Sequence, residues 1–148
     1  MSDYLPLSQR TSPSDAYDKR HTGLSFPLVK KPRGYFQTSY SRSIIRSSIF
    51  TILSTRKGER VFLPEFGSSL MSMIFEPNDS LTHRLIKRIV TTDVTRWEPR
   101  VRVSNVRISN DENSVSIFIE YSIVNTSDSD YITIVYSPKT YTAKLVQD

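Results

Sequence analysis

Six carboxylates lie close to basic or aromatic residues and are the first candidates for acid–base chemistry. They are Glu59, Glu65, Glu76, Asp79, Asp93 and Glu98. A glycoside hydrolase needs two such groups at a set separation on either side of a sugar cleft. The sequence shows no feature that would hold such a pair. Glu59 fits a partner for Arg56 or Arg60, and Asp79 fits a helix cap. Because surface charges are mostly solvated or structural, we predict no catalytic residue.

The other polar residues form no motif for metal, phosphate or acyl-transfer chemistry. His21 and His83 are far apart and show no metal-ligand spacing. The four glycines are scattered, and neither a phosphate-binding loop nor a Gly-x-Ser-x-Gly turn is present. The chain has no cysteine, which excludes disulfides and thiolate ligands. We therefore expect no enzyme activity, no metal, no cofactor and no small-molecule substrate.

The segment Trp97–Val101, here called the helix–strand junction, carries a different kind of signal. Pro99 fixes its own φ and disfavours helical backbone at Glu98, so a helix should end near Trp97. In extended backbone, Glu98 and Arg100 point to the same side, and Trp97 can anchor the segment in the core. A stiff pair of charges suits docking to another protein. The alternative is an ordinary surface ion pair, worth at most about 1 kcal/mol.

The charge distribution leaves several partners open. Net charge is +5, made of +9 over residues 1–107 and −4 over residues 108–148. A basic run follows the second predicted long helix and the first predicted strand: Arg84, Lys87, Arg88, Arg96, Arg100, Arg102 and Arg107. Such a run can neutralise phosphates, but it equally fits a solvated helix face, and no nucleic-acid recognition motif accompanies it. No apolar run approaches the roughly 18–20 residues needed to span a membrane, and the N-terminus lacks a signal-peptide layout.

Helical periodicity predicts three helices. The first covers residues 40–55, with Gly58 as its stop and one apolar face: Ile45, Ile49, Ile52 and Leu53. After a structured loop over residues 58–67, a short helix over 68–75 should bury four side chains: Leu70, Met71, Ile74 and Phe75. The second long helix begins at Asn78, Asp79 or Ser80 and ends near Trp97. Its predicted apolar stripe is Leu81, Leu85, Ile86, Ile89, Val90, Val94 and Trp97.

After Pro99 the apolar period becomes two, which predicts strands. Val101 and Val103 fall out of phase with Val106 and Ile108, which indicates a β-bulge near residues 104–105. Turns are predicted at residues 110–113 and 127–130. A second strand has the inward face Val115, Ile117, Ile119, Tyr121 and Ile123. Residues 131–136 form a third strand, and residues 140–146 can add a short edge strand.

These elements predict an α+β fold in which two amphipathic helices and a short one pack on a small, mostly antiparallel sheet. Residues 1–37 contain four prolines and show no regular period, so we predict an extended N-terminal arm followed by one domain over residues 38–148. Within the arm, residues 23–29 are more apolar. They can pack on their own domain or order on a neighbour.

Three segments in this order and spacing resemble a known family. They read ILSTRKGER over residues 52–60, PEFGSSL over 64–70 and WEPRV over 97–101. Together they are similar to the lysozyme-like baseplate wedge family of contractile tails, which includes the product of phage gene twenty-five and the type VI secretion wedge protein. The resemblance covers about residues 24–125.

The resemblance implies a non-enzymatic structural protein of the virion tail baseplate, assembled in the host cytoplasm. Its implied partners are two other wedge proteins that form a helical core bundle, contacted through Glu98, Pro99 and Arg100. Glu59 and Arg60 are added as protein-binding candidates. A further implied partner is the sheath protein of the first ring, whose strands the sheet would accept, so that the protein initiates the sheath. Tube or hub proteins are additional candidates.

Two other functions remain open from the sequence. A regulatory protein-binding module is the main alternative, because an anti-adaptor of a stress sigma factor is similar to this fold. A nucleic-acid-binding domain is the weaker one.

Overall fold

The computed structural model describes residues 22–24, 38–111, 114–124, 129–137 and 142–146. The chain divides into two compact units between Ser47 and Ser48. In the first unit, strand β1 (Thr22–Leu24) pairs antiparallel with strand β2 (Thr38–Tyr40), and helix α1 (Ser41–Ser54) begins. Strand β1 was not predicted, because three residues are too few to show a period. The rest of the predicted arm, residues 1–21 and 25–37, lies outside the described residues, and the predicted domain boundary stays a prediction.

The second unit contains the remainder of α1, two further helices and a four-stranded sheet. The helices are α2 (Leu70–Met73) and α3 (Ser80–Trp97). The strands are β3 (Val101–Asp111), β4 (Ser114–Ile123), β5 (Ser129–Ser137) and β6 (Thr142–Val146). Their order in the sheet is β3-β4-β5-β6, and every neighbouring pair is antiparallel. This meander with helices confirms the predicted α+β class.

Local sequence rules account for the helix ends. Asp79 is the N-cap of α3, and its carboxylate accepts a hydrogen bond from the Thr82 amide at 2.6 Å. Hydrogen bonds from the Thr82 backbone and side chain hold the pKa of Asp79 below its ordinary value. Helix α3 ends at Trp97, as Pro99 predicts. Helix α1 ends at Ser54, four residues before Gly58, so Gly58 was wrong as its stop.

The predicted apolar stripe of α3 was partly wrong. Leu81 and Leu85 are exposed, whereas Thr82 is buried on the inner face together with Ile86. Since each residue turns the helix by about 100°, the inner face is displaced by one position from the face that the two leucines share. In the segment after α2, Phe75 was also predicted to be buried, but 54% of it is exposed, because the helix stops at Met73.

The sheet follows the predicted alternation closely. In β4 every second residue is buried, and the register with β3 shifts between Val103 and Asn105, where the bulge was predicted. Strand β6 confirms the predicted edge strand. Tyr136 on β5 donates a hydrogen bond from its hydroxyl to the Leu53 carbonyl at the end of α1, at 3.2 Å. That contact satisfies a carbonyl in the last helical turn and joins helix to sheet.

The apolar core of the second unit is drawn from all three helices and from β3, β4 and β5. Its most deeply buried members are Ile49, Ile52, Leu53, Leu70, Ile86, Val90, Val94, Val101, Ile117, Ile119, Tyr121, Ile132, Ile134 and Tyr136. Within the described ranges, no helix combines the length and apolar character that a membrane crossing requires.

Candidate protein-binding site

The helix–strand junction is held by main-chain hydrogen bonds on both sides of Pro99. The Glu98 amide donates to the Val94 carbonyl at 2.8 Å, and the Glu98 carbonyl accepts from the Val101 amide at 3.1 Å. Glu98 itself has φ −128° and ψ 75°, outside the helical region. Because these bonds close the turn, Pro99 lies on the surface at a fixed position between helix and strand.

Glu98 and Arg100 form a two-pronged ion pair across the junction. The Arg100 Nε donates to Glu98 Oε1 at 2.5 Å, and the Arg100 Nη2 donates to Glu98 Oε2 at 2.6 Å. The prediction that both side chains share one side of the segment is therefore confirmed. Only 3% of Glu98 is exposed, whereas about a third of the Arg100 side chain reaches solvent. The buried carboxylate of Glu98 thus holds the Arg100 guanidinium in position, and Arg100 is the member of the pair that a partner can reach.

The protonation state of Glu98 follows from opposing effects. Burial alone would raise the pKa of Glu98, but hydrogen bonds from Arg100 and Ser48 and the charge of Arg100 outweigh it, so the pKa lies below its ordinary value. In turn, the hydrogen bond to Glu98 raises the pKa of Arg100. The pair is therefore fully ionised at neutral pH, and Arg100 presents a permanent positive charge.

The loop over residues 56–68 carries the other two predicted site residues, Glu59 and Arg60, both exposed. Glu59 Oε2 accepts a hydrogen bond from the Arg56 backbone amide at 2.8 Å, so Glu59 fastens the main chain of the loop. The Arg60 guanidinium carbon lies 4.7 Å from the centre of the Phe66 ring, a cation–π contact. Arg60 therefore keeps its charge at the surface while its position is set by an aromatic neighbour.

Two aromatic rings connect this loop to the helix–strand junction. Phe66 meets Trp97 edge to face, with ring centres 5.2 Å apart. The Arg96 guanidinium lies over the Trp97 ring, with its carbon 5.0 Å from the ring centre. Arg96 also forms an ion pair with Glu65 of the loop. Trp97 is half-buried against these groups instead of lying deep in the core. Through Phe66, these contacts connect Arg60 to Trp97 of the helix–strand junction, although 37 positions separate Arg60 and Trp97 in the sequence.

A buried polar network that the sequence analysis missed supports the loop. Asp93 on α3 is almost fully buried. Its Oδ2 accepts a hydrogen bond from the Ser68 hydroxyl at 2.7 Å, and its Oδ1 accepts one from Lys57 Nζ at 3.0 Å. Residue 93 lies three positions after Val90 on the inner face of α3. A carboxylate three positions after one apolar residue of the predicted stripe, Val90, and next to another, Val94, was the signal that could have revealed it.

The conformation of the loop also depends on a glycine. Gly67 has φ +102°, and a Cβ there would lie 2.4 Å from the Thr55 carbonyl oxygen. That position therefore requires glycine. Among the described residues, no group of three or more histidine or acidic side chains is arranged to hold a metal ion. The geometry presents a fixed, positively charged and partly aromatic surface, which suits recognition of another macromolecule.

Comparison with known proteins gives the class that this fold and surface define. Residues 39–128, more than half of the chain, match the family model described as baseplate wedge protein gp25. The chain belongs to this family of phage tail baseplate proteins. The resemblance seen in the sequence motifs is thereby confirmed, because the matched range contains all three segments.

Two curated relatives support the assignment. The chain is 34% identical over 86 residues to the baseplate wedge protein gp25 of Enterobacteria phage T4, covering 57% of this chain and 65% of that protein. It is 42% identical over 62 residues to baseplate protein W of Escherichia phage P2, covering 42% of this chain and 54% of that protein. The matched regions thus span between half and two-thirds of each relative.

The structural matches agree with the fold. A crystal structure described as a tail lysozyme from Geobacter sulfurreducens is 31% identical, with a TM-score of 0.59, covering 64% of this chain and 87% of that one. A chain in the cryo-EM structure of the anti-feeding prophage baseplate is 20% identical, also with a TM-score of 0.59, covering 79% of this chain and 85% of that one. The second match concerns the fold alone.

Proposed function

We propose that this protein is a structural component of the baseplate wedge of a contractile tail and acts by binding other baseplate proteins. The observation that carries the proposal is the family match over residues 39–128, which includes the helix–strand junction. The protein would reside in the virion tail baseplate after assembly in the host cytoplasm. Its partners would be two other wedge proteins that form a helical bundle, and tube or hub proteins are additional candidates.

The proposed contact with the wedge bundle is the surface formed by Glu98, Pro99, Arg100, Glu59 and Arg60. Pro99 and Arg60 are exposed, and Arg100 is within reach of a partner's carboxylate. Glu98 contributes through Arg100, because its own carboxylate is buried. A guanidinium held by two hydrogen bonds loses little conformational freedom on binding, which favours a specific contact.

The proposed contact with the sheath is strand addition to the sheet. Among the described strands, β3 and β6 are the two outer ones, and each presents main-chain N–H and C=O groups on its outer side. An extended arm of a sheath subunit can pair with such an edge, so that the protein initiates the first sheath ring. The net charge of −4 over residues 108–148 favours a basic arm.

A non-enzymatic role agrees with the use of the carboxylates. Asp79 caps a helix, Asp93 binds Ser68 and Lys57, and Glu98 binds Arg100. Glu59 and Glu65 likewise have structural contacts within their loop or to the neighbouring helix, as described above. Each of these five carboxylates thus has a contact within the fold, and no catalytic role is needed to account for it.

The experiment that tests the bundle contact compares Arg100 with Arg102, the next arginine along the chain. Arg100→Ala should abolish co-purification of the full chain with the two wedge proteins from the same particle, whereas Arg102→Ala should leave it unchanged. Arg102 is exposed and lies two residues after Arg100, on β3. Circular dichroism should show that both variants fold. Normal complex formation by a folded Arg100→Ala protein would remove the proposed role of the junction.

The placement in the particle is tested by cryo-EM of the native tail. We expect density for this chain in the baseplate beneath the first sheath ring, with an outer strand of its sheet paired to a sheath arm. If the chain occupied the tail tube or were missing from the particle, the proposed function would be wrong. If it lay in the wedge with both sheet edges in solvent, only the sheath role would fall.

A further inference from the structure

The loop between Gly58 and Gly67 carries an exposed apolar surface that has no role in the proposed function. We call residues Val61, Phe62 and Leu63 the tip. Val61 is 85% exposed, Phe62 is 97% exposed and Leu63 is 40% exposed. Three consecutive apolar side chains in water are unfavourable for solubility, and an apolar cluster of this kind is typical of an interaction site.

Hydrogen bonds fix the conformation of the tip. The Gly58 amide donates to the Pro64 carbonyl at 2.7 Å, which closes the loop across its base. Within the loop, the Leu63 amide donates to the Arg60 carbonyl at 3.2 Å, and the Phe66 amide donates to the Leu63 carbonyl at 3.0 Å. Because these bonds order the main chain before any partner arrives, Phe62 is presented with little further entropy loss on binding.

The charges beside the tip indicate the chemistry of its partner. Of the three basic residues at positions 56–60, Lys57 is neutralised by Asp93. The guanidinium groups of Arg56 and Arg60 are exposed and have no carboxylate partner among the residues that the structure describes. A groove that receives the tip should therefore carry acidic residues along its edge, since an apolar centre with a complementary charged rim is the usual arrangement of an interface.

The tip is also continuous with the surface proposed to bind the wedge bundle. Arg60 precedes the tip and contacts Phe66, and Phe66 contacts Trp97 at the junction. Leu81, another exposed apolar residue, lies instead at the start of α3, sixteen residues before Trp97. One partner can therefore cover Arg100 and the tip together.

We propose that the tip inserts into an apolar, acid-edged groove between helices of the same wedge bundle that binds Arg100, with Phe62 as the anchor. This inference rests on the proposed function and adds a second contact to it. An aromatic side chain that passes from nearly full exposure into a groove is the type of residue that dominates binding energy.

The test measures the affinity of the full chain for the purified wedge bundle by titration calorimetry. Complete burial of a Phe side chain strengthens binding by about 10- to 100-fold. Phe62→Ser removes this side chain and should therefore raise Kd by about 10- to 100-fold. Phe62→Leu, which keeps an apolar side chain, should weaken binding less than Phe62→Ser. Leu81→Ser is the matched control, because Leu81 is exposed at the start of α3 whereas the junction lies at the end of that helix, and it should leave Kd unchanged.

The possible results separate the two proposals. If wild-type protein and Leu81→Ser bind equally, Arg100→Ala loses binding and Phe62→Ser does not change Kd, the tip contact is wrong and the proposed function stands. If the wild-type chain does not bind the bundle, both fall. Sedimentation equilibrium gives a further check: wild-type self-association that Phe62→Ser abolishes would identify a second copy of this chain as the occupant and overturn the inference.

Discussion

The ion pair at the helix–strand junction makes a quantitative prediction about stability. Arg100→Ala removes two hydrogen bonds to the carboxylate of Glu98. A hydrogen bond to a charged group contributes about 1.5–3 kcal/mol. About a third of the Arg100 side chain is in solvent, which screens the pair, so we expect the two bonds together to contribute about 2 kcal/mol to the free energy of unfolding at neutral pH.

The loss of stability caused by Arg100→Ala should be larger at neutral pH than at acidic pH. The pKa of Glu98 is lower in the folded protein than its ordinary value of 4.5, because the bonds from Arg100 and Ser48 outweigh burial. A lowered folded-state pKa contributes stability above the unfolded-state pKa, and that stability disappears as pH falls through the folded-state pKa. The destabilisation caused by Arg100→Ala should therefore be about 2 kcal/mol near pH 6 and well under half of that near pH 3.

Urea unfolding at several pH values measures this difference. Trp97 is the only tryptophan in the chain, so its fluorescence reports the transition, and far-UV circular dichroism provides an independent probe. Arg102→Ala, at an exposed position two residues later on β3, is the control and should change stability by no more than about 0.5 kcal/mol at any pH. In a Glu98→Gln background, the effect of Arg100→Ala should no longer depend on pH.

One result would refute the reasoning. If Arg100→Ala destabilised the protein equally near pH 3 and pH 6, Arg100 would contribute through packing of its aliphatic stem and not through the charge of Glu98. The same result would weaken the argument that Glu98 positions Arg100 for a partner, because an un-ionised carboxyl would serve equally well.

Two further predictions concern the loop that carries Arg60. Gly67→Ala should destabilise the protein by at least about 3 kcal/mol, because it adds a clash with the Thr55 carbonyl to the strain of a positive φ. Gly58→Ala has open space around its Cβ and should destabilise the protein by only about 1 kcal/mol in the same urea assay. Equal effects would show that the close approach to Thr55 does not matter. Asp93→Ala should lower the free energy of unfolding by about 2–4 kcal/mol, because Ser68 loses a buried hydrogen bond. The control Thr92→Ala, at an exposed neighbouring position, should have little effect. A loss below about 1 kcal/mol for Asp93→Ala would contradict a stabilising network.

The site shows where prediction from the sequence ended. The motifs indicated the correct family, and the two-residue spacing predicted that Glu98 and Arg100 would point to the same side. Nothing in the spacing revealed that Glu98 would be buried, since its burial depends on residues distant in the chain, including Ser48. The binding roles of the five predicted residues remain predictions until the complex is examined.

The sequence by itself determined the local structure. Apolar periods specify α1 and the alternation of β4, Asp79 begins α3, and Pro99 ends it, because each of these effects acts within a few residues. Only the tertiary structure decided which faces were covered and which distant groups met. The Tyr136 hydroxyl reaches Leu53 across 83 positions and Lys57 reaches Asp93 across 36, while Phe62 stays in solvent. Periodicity shows that an apolar face exists, whereas burial depends on the neighbour that packs against it, and that neighbour comes from elsewhere in the chain.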